Sequence, residues 1–479
     1  MNVSKIYISG EWVVPASENT IDVISPSDGQ VFAKIADGNS DDIDRAIKAA
    51  RKCLSDTWGV MPPADRGRLL HRLSVLIKEN ADELADLEAL DTGKPMTQAR
   101  ADIAACSRYF EFYAGAADKI HGETIPYLNE YFVTVVREPH GVTGHIIPWN
   151  YPAQMFGRSL APALATGNAV VLKPAEEACL SCLRLTELAH EAGFPAGALN
   201  VVTGYGATAG AALTAHPDID FVSFTGSPDV GTMVQVASAQ HHRPCVLELG
   251  GKSPQIIFSD ADIDAALPVV VAGIVQNGGQ TCSAGSRVLI QRDIFDSFTA
   301  ALAERINKLV TGPHQSDRNC GPLISSKQQG RVEQFVDRAA SEGLTLIAQA
   351  ALEPGSPEDG FYVPPALYGP VHEDSFLAQD EVFGPVLAAI PFDTEADAIR
   401  IANGTDFGLV AGVWTNDGGR QMRIAKAIKC GQVFINNYGA GGGVELPFGG
   451  RKHSGHGREK GFAAMNEFTV TKTIVLKHD

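Results

Sequence analysis

The chain has 479 residues, 44% hydrophobic and 20% charged, the balance of a globular protein long enough for two or three domains. Its 56 Asp and Glu outnumber 39 Lys and Arg, for a net charge of -17. That balance argues against nucleic acid or an anionic membrane surface as partner, because both demand clustered positive charge, and leaves small molecules. No uninterrupted apolar run approaches a membrane span, and Met1 to Trp12 lacks a basic region followed by a long apolar one, so a cytoplasmic location is expected.

In chain order, Lys5 to Val14 reads as a strand, followed by helical spacing over Asp41 to Leu54 and Ala64 to Leu90, where Leu69, Leu73, Leu76, Leu84 and Leu87 recur. Asp91-Thr92-Gly93-Lys94-Pro95 ends that helix through Gly and Pro. Glu123 to Val142 alternates, with Tyr131, Val133 and Val135 on one face, and is expected to form an extended ribbon. From Gly167 to Ser259 short apolar strands (Ala169 to Leu172, Leu199 to Val202, Phe221 to Phe224) alternate with Ala-rich helices (Ala178 to Gly193, Ala207 to His216). That alternation predicts a parallel, doubly wound sheet whose ligand lies beyond the strand C-termini. Helices within Asp260 to Lys308 and Ser326 to Gly343, with strands near Val288, Val386, Val410 and Gln432, make a second α/β domain.

Eight cysteines are scattered without a paired spacing and are expected to be reduced. Cys179 and Cys182 form one CxxC within a helical pattern and lack the second pair a zinc site needs; with no HxxxH or HExxH either, no metal is expected. Cys282 is different. It follows Asn277-Gly278-Gly279-Gln280-Thr281, just after the apolar stretch Ala266 to Val275. Glycines there admit a carbonyl to the sulfur and leave backbone N–H groups facing it, a setting for a nucleophile, although a cysteine by itself is more often a buried inert thiol. No GxGxxG follows any strand. Phe224-Thr225-Gly226-Ser227 instead runs from a strand straight into a helix, whose N-terminus suits a pyrophosphate.

Seven segments occur in order: Pro148-Trp149-Asn150-Tyr151-Pro152, Leu172-Lys173-Pro174-Ala175-Glu176, Phe224-Thr225-Gly226-Ser227, Leu247-Glu248-Leu249-Gly250-Gly251-Lys252, Gly279-Gln280-Thr281-Cys282, Glu381-Val382-Phe383-Gly384-Pro385 and Pro447-Phe448-Gly449-Gly450. Together they resemble the aldehyde dehydrogenase superfamily, in the branch that forms acids with a nicotinamide dinucleotide, over essentially the whole chain. The resemblance implies a Rossmann-like, doubly wound cofactor domain (residues 1–122 and 143–251), an α/β catalytic domain (252–462) and small β oligomerisation strands (123–142 and 463–479). A homodimer or homotetramer is expected.

The same resemblance implies roles for individual residues. Cys282 is the nucleophile that makes a thiohemiacetal and then a thioester, Asn150 donates to the oxyanion, and Glu248 activates the hydrolytic water. Val246, Leu247 and Leu249 around Glu248 suggest an apolar niche that raises its proton affinity. Lys173 is counted with both the catalytic and the cofactor residues. Glu176 beside it suits a free 2′-hydroxyl and repels a 2′-phosphate, which favours NAD over NADP. Trp149, Gly226, Ser227, Glu381 and Phe383 complete the cofactor set. The substrate, a small-molecule aldehyde, is expected to meet Tyr151, Met155, Arg158 and Phe448. Tyr151, Met155 and Arg158 share one face if the segment is helical, and Arg158 matches a carboxylate-binding arginine of succinic semialdehyde dehydrogenases. The substrate is then either a carboxylated semialdehyde or, if Arg158 is paired with a nearby acid or reaches solvent, a bulky apolar or aromatic aldehyde. The glycine run Gly439 to Gly443 predicts a wide tunnel mouth. A coenzyme A-acylating enzyme and a non-catalytic member are the alternatives, against which Glu248, Cys282 and Asn150 together speak.

Overall fold

A computed structural model describes residues 3–439 and 443–478. Its larger sheet has eight strands in the order Glu11–Val13, Ile6–Ile8, Leu199–Val201, Ala169–Pro174, Val142–Ile147, Phe221–Thr225, Cys245–Glu248 and Gly455–His456. The five strands from Leu199–Val201 to Cys245–Glu248 are parallel. The chain fills them outward from Val142–Ile147 in one direction, then returns to Phe221–Thr225 and proceeds in the other. The crevice between those two strands is thus a topological switch point, where ligands of open α/β sheets bind. These five parallel strands are buried on both faces along nearly their whole length, as the Ala169–Pro174 strand shows, which explains the continuous apolar runs in the sequence.

The second sheet has seven strands, with Pro254–Ile257 between Arg287–Gln291 and Val410–Trp414. All of its pairs are parallel except Leu346–Gln349 with Ala366–Tyr368. The expected ribbon is present as Glu123–Ile125 and Tyr131–Pro139, and the C-terminal strand Thr469–Lys477 pairs with the latter in antiparallel register from Thr469↔Pro139 to Lys477↔Tyr131. Val470, Ile474 and Leu476 of that strand are exposed.

Several sequence expectations are corrected. Lys5 to Val14 is a tight hairpin, Ile6–Ile8 with Glu11–Val13, because Ser9 and Gly10 take φ of 55° and 83°. Ala64 to Leu90 is two helices, Pro63–Glu79 and Ala81–Thr92, broken at Asn80, whose side chain donates to the Leu76 carbonyl (2.8 Å). Pro95 ends nothing: it precedes a further helix, Met96–Ala116, where its lack of N–H is harmless, and that helix buries Ala99, Ile103, Cys106, Phe110 and Tyr113. The Ala207 to His216 helix begins as a wider π turn over Gly206–Gly210. Pro152–Thr166 is helical as expected, with Tyr151 at its N-cap.

Candidate active site

After the apolar helix Ile263–Val275 the backbone makes a turn that favours small residues, with Asn277, Gly278 and Gly279 at φ of 52, 64 and 72°. A Cβ on Gly279 would lie 2.2 Å from the Gly384 carbonyl oxygen, and one on Gly251 would lie 2.3 Å from the Cys282 carbonyl oxygen. Glycines of separate motifs therefore let the cysteine loop settle onto both the Glu248 and the Glu381 segments. Gln280 locks the turn by donating to the Asn277 carbonyl (3.0 Å) and accepting from the Ile324 N–H (2.9 Å). The Tyr438 hydroxyl donates to the Ser283 carbonyl (2.6 Å).

Asn150 lies just past the end of the Val142–Ile147 strand and is buried. Its Nδ2 donates to the Gln280 carbonyl (2.8 Å), which uses one amide hydrogen and keeps the second for a ligand. Its own carbonyl accepts from Lys94 Nζ (3.0 Å) and Asn277 Nδ2 (2.8 Å). Glu248 is the last residue of its strand and is 1% exposed. A Cβ on Gly449 would sit 2.8 Å from Glu248 Oε1, so the carboxyl rests against bare backbone. Neither of its oxygens accepts a hydrogen bond among the described residues. Burial first, and then the Glu459 charge, push Glu248 well above the usual carboxylate range. The Cys282 thiol is pushed up to about 12, chiefly by burial; Glu248 and Glu381 add to this and Arg158 opposes it.

Tyr151, Met155, Arg158, Cys282 and Phe448 all line one cavity of about 630 Å³. The Tyr151 hydroxyl meets Thr281 Oγ1 at 2.7 Å. At its rim Arg108 donates to Glu445 (2.7 Å), a bridge between the Met96–Ala116 helix and the segment before Phe448. Gly439 and Gly443 are part of the lining, while residues 440–442 of the predicted wide mouth lie outside the described residues. Arg158 is not free. Its Nε is paired with Glu459, another of its nitrogens lies 3.7 Å from Glu248, and its guanidinium sits 4.2 Å over the Phe448 ring. Among the two expectations for this residue, the structure has the arginine engaged by acids, because a cation this deeply buried needs a charge partner.

Lys173 and Glu176 flank the C-terminal end of the Ala169–Pro174 strand, joined at 2.5 Å, and Glu176 also accepts from the Gly206 N–H (3.2 Å). Burial raises the Glu176 carboxyl, but Lys173 more than offsets this, so it stays below the ordinary range and ionised. Ser227 caps the Pro228–Gln240 helix through the Val230 N–H. A Cβ on Gly226 would lie 2.5 Å from the Phe224 ring. Across the crevice Glu381 accepts from the Gly251 N–H (2.7 Å) and is pushed up to about 7 by burial. Phe383, at a positive φ of 58°, packs edge-on against Trp149, with ring centroids 5.5 Å apart. A carboxylate at one end, a helix N-terminus beside a tight glycine turn and an aromatic pair near Cys282 are a donor set that fits an extended dinucleotide.

The aldehyde dehydrogenase family model matches residues 12–474. The chain belongs to the aldehyde dehydrogenase family. Human retinal dehydrogenase 2 is 41% identical over 479 residues, covering 99% of this chain and 92% of that protein. A Burkholderia cenocepacia structure, itself assigned only provisionally to the aldehyde dehydrogenases, superimposes with a TM-score of 0.98 at 61% identity, covering 99% of this chain and 100% of that one. Betaine aldehyde dehydrogenase from Staphylococcus aureus, solved in complex with NAD+, has a TM-score of 0.97 at 37% identity and covers 100% of this chain and 95% of its own.

Sequence reasoning missed the support beneath the aldehyde dehydrogenase centre. Lys94, which the sequence offers only as part of a helix terminator, is buried and joins Glu88 (3.1 Å), Asp102 (2.5 Å) and the Asn150 carbonyl. It also lies 4.6 Å from the Tyr151 ring centroid. Gln154 completes the cluster by donating to Asp102 (2.6 Å). The only local signal was a lysine wedged between Gly93 and Pro95, where a solvated cation needs neither neighbour. Glu459 was likewise missed, since nothing around it departs from an ordinary surface acid. Cys179 and Cys182 are both buried with thiols pushed well up, as befits inert packing residues.

Proposed function

We propose that the chain oxidises a bulky apolar or aromatic aldehyde to its carboxylic acid with NAD+, through a covalent bond to Cys282. The reading is carried by Cys282 lining the cavity, with Asn150 donating to the Gln280 carbonyl two residues before it and the buried Glu248 close enough for its charge to act on the thiol. Burial and the Glu459 charge raise the proton affinity of Glu248, so its carboxylate is a stronger base toward the Cys282 thiol proton than an ordinary one. The sulfur then bonds the carbonyl carbon, and the electron pair moves onto oxygen beside the spare Asn150 amide hydrogen and the Cys282 backbone N–H. The nicotinamide ring, when bound, supplies the acceptor for the hydride that leaves this carbon. A thioester remains on Cys282. Glu248 gives the thiol proton up to solvent and then takes a proton from water; the resulting hydroxide adds to the thioester carbon, and collapse frees the acid and expels the sulfur, which takes the proton back from Glu248.

NAD is favoured because an ionised Glu176, as the residue that would hold the adenosine ribose, would accept from a free 2′-hydroxyl and repel a 2′-phosphate. Glu176→Ser is expected to raise the NADP to NAD ratio of kcat/KM by about tenfold, the equivalent of one like-charge contact removed. An unchanged ratio would assign cofactor choice to other groups. The exposed apolar face of the Thr469–Lys477 strand supports assembly as a homodimer or homotetramer.

The apolar substrate class rests on the tunnel wall of Tyr151, Met155 and Phe448, and on Arg158 being already shared by two acids. A carboxylated aldehyde would have to pass Glu445 and displace Glu459, leaving a buried acid without its cation. Initial rates across aliphatic, aromatic and carboxylated aldehydes of matched length test this. The expected result is a kcat/KM at least about tenfold lower for the carboxylated members. Equal or higher values for them would return Arg158 to the substrate.

A further inference from the structure

Glu248 has no hydrogen-bond donor among the described residues, so beyond burial its proton affinity is set by neighbouring charges, and the cation 3.7 Å from it, Arg158, is one that the reaction scheme above leaves unused. We propose that Arg158 is a positioning residue for Glu248, shared between that carboxylate and Glu459 so that its charge tunes the base instead of holding the substrate; the proposal rests on Glu248 acting as general base. Three observations support it. The guanidinium is pinned by the Phe448 ring on its face, by Glu459 at Nε and by Glu248 at 3.7 Å. Glu459 is itself tethered through a buried polar row: its Oε1 lies 3.5 Å from Ser223 Oγ, which meets Ser159 Oγ at 3.1 Å, which meets His145 Nδ1 at 2.7 Å, and His145 Nε2 ends on Thr143 Oγ1 at 2.8 Å. Burial holds His145 down to about 3, so this row brings Glu459 hydrogen bonds and no second cation.

The charges around Glu248 come from three segments. Glu459 raises its proton affinity, while Arg158 from the Pro152–Thr166 helix and Arg458 and Lys460 from the segment after Gly457 lower it. Lys460 lies 5.3 Å from the Phe448 ring centroid and is brought down to about 7, first by burial and then by Arg158, so its help fades near neutrality. Cys282 and Tyr109 also face Arg158, and both are protonated at neutral pH. Arg158 is thus a permanent charge within 4 Å of both Glu248 and Glu459, and whatever it gives to Glu459 it withholds from Glu248.

The sign of the test follows. Deacylation needs the Glu248 carboxylate, so its rate rises with pH through the proton affinity of that group. Arg158→Met removes a cation and is expected to move the limb about one pH unit higher, whereas Glu459→Gln removes the competing acid and is expected to move it about one unit lower. Arg158→Lys is expected to restore most of the wild-type profile. The measurement is kcat against pH with a neutral aldehyde, together with KM, which should change less than about threefold if no substrate contact is lost. An enzyme in which neither Arg158→Met nor Glu459→Gln moves the limb, while Glu248→Gln abolishes it, overturns this inference alone. Retention of the limb in Glu248→Gln overturns the general-base reading itself. Should Arg158→Met fail to fold, the acid-ward shift in Glu459→Gln decides.

Discussion

Cys282→Ala is expected to lose aldehyde oxidation by at least about 10,000-fold, the scale seen when a covalent nucleophile is deleted from an enzyme. Among the described residues lining the cavity the Cys282 thiol is the strongest nucleophile, and in the proposed scheme the hydride has no tetrahedral alkoxide to leave without its bond to the carbonyl carbon. NAD affinity should persist, because the residues assigned to the cofactor are on the Lys173, Gly226 and Glu381 segments and hold their geometry without the sulfur. The fold should persist as well, since the loop is held by Gln280 and Tyr438 hydrogen bonds. Steady-state rates and NAD titration by fluorescence check both halves. Turnover within tenfold of wild type would end the covalent scheme.

Glu248→Gln is expected to slow thioester hydrolysis by about 100- to 10,000-fold, the usual span for loss of a positioned general base. Acylation should suffer less, because at higher pH solvent can take the Cys282 proton, whereas the proposed thioester hydrolysis relies on Glu248 to activate water. Rapid mixing with NAD+ and aldehyde should then show a burst of NADH close to one per active site, followed by a slow steady phase. An added thiol nucleophile such as coenzyme A would release the acyl group and restore turnover, which also separates this enzyme from one that acylates coenzyme A in its native form. Loss of the burst with an unchanged steady rate would move Glu248 to an earlier step.

The parts of this protein legible in its sequence are those set by short-range rules. Alternation of buried strands with Ala-rich helices announced the doubly wound sheet, since strands covered on both faces must be apolar throughout. The glycines beside Cys282 were legible because close backbone approach excludes a Cβ, and Gly279 against Gly384 is such an approach. Family likeness then named Asn150, Glu248, Glu176 and Glu381: Glu248 is the last residue of its strand, Asn150 and Glu176 lie just beyond strand ends, and Glu381 follows the Phe376–Gln379 helix.

What the chain's order alone left open depended on which distant groups share a buried space. Helical spacing put Arg158 on one face with Tyr151 and Met155, and it lines the cavity with them, but its charge is taken up by Glu459, which is 301 positions later in the chain. Lys94 read as part of a helix stop until Glu88, Asp102 and the Asn150 carbonyl closed around it. Local pattern determines backbone conformation and the size of each side chain, whereas the proton affinity and the partner of a buried charge are set by desolvation and by neighbours that only the folded chain brings within a few ångströms. Cys282 as the proposed place of chemistry was legible in the sequence; the engagement of Arg158 with Glu248 and Glu459 was decided by the tertiary structure, because burying that cation required an acid on each side.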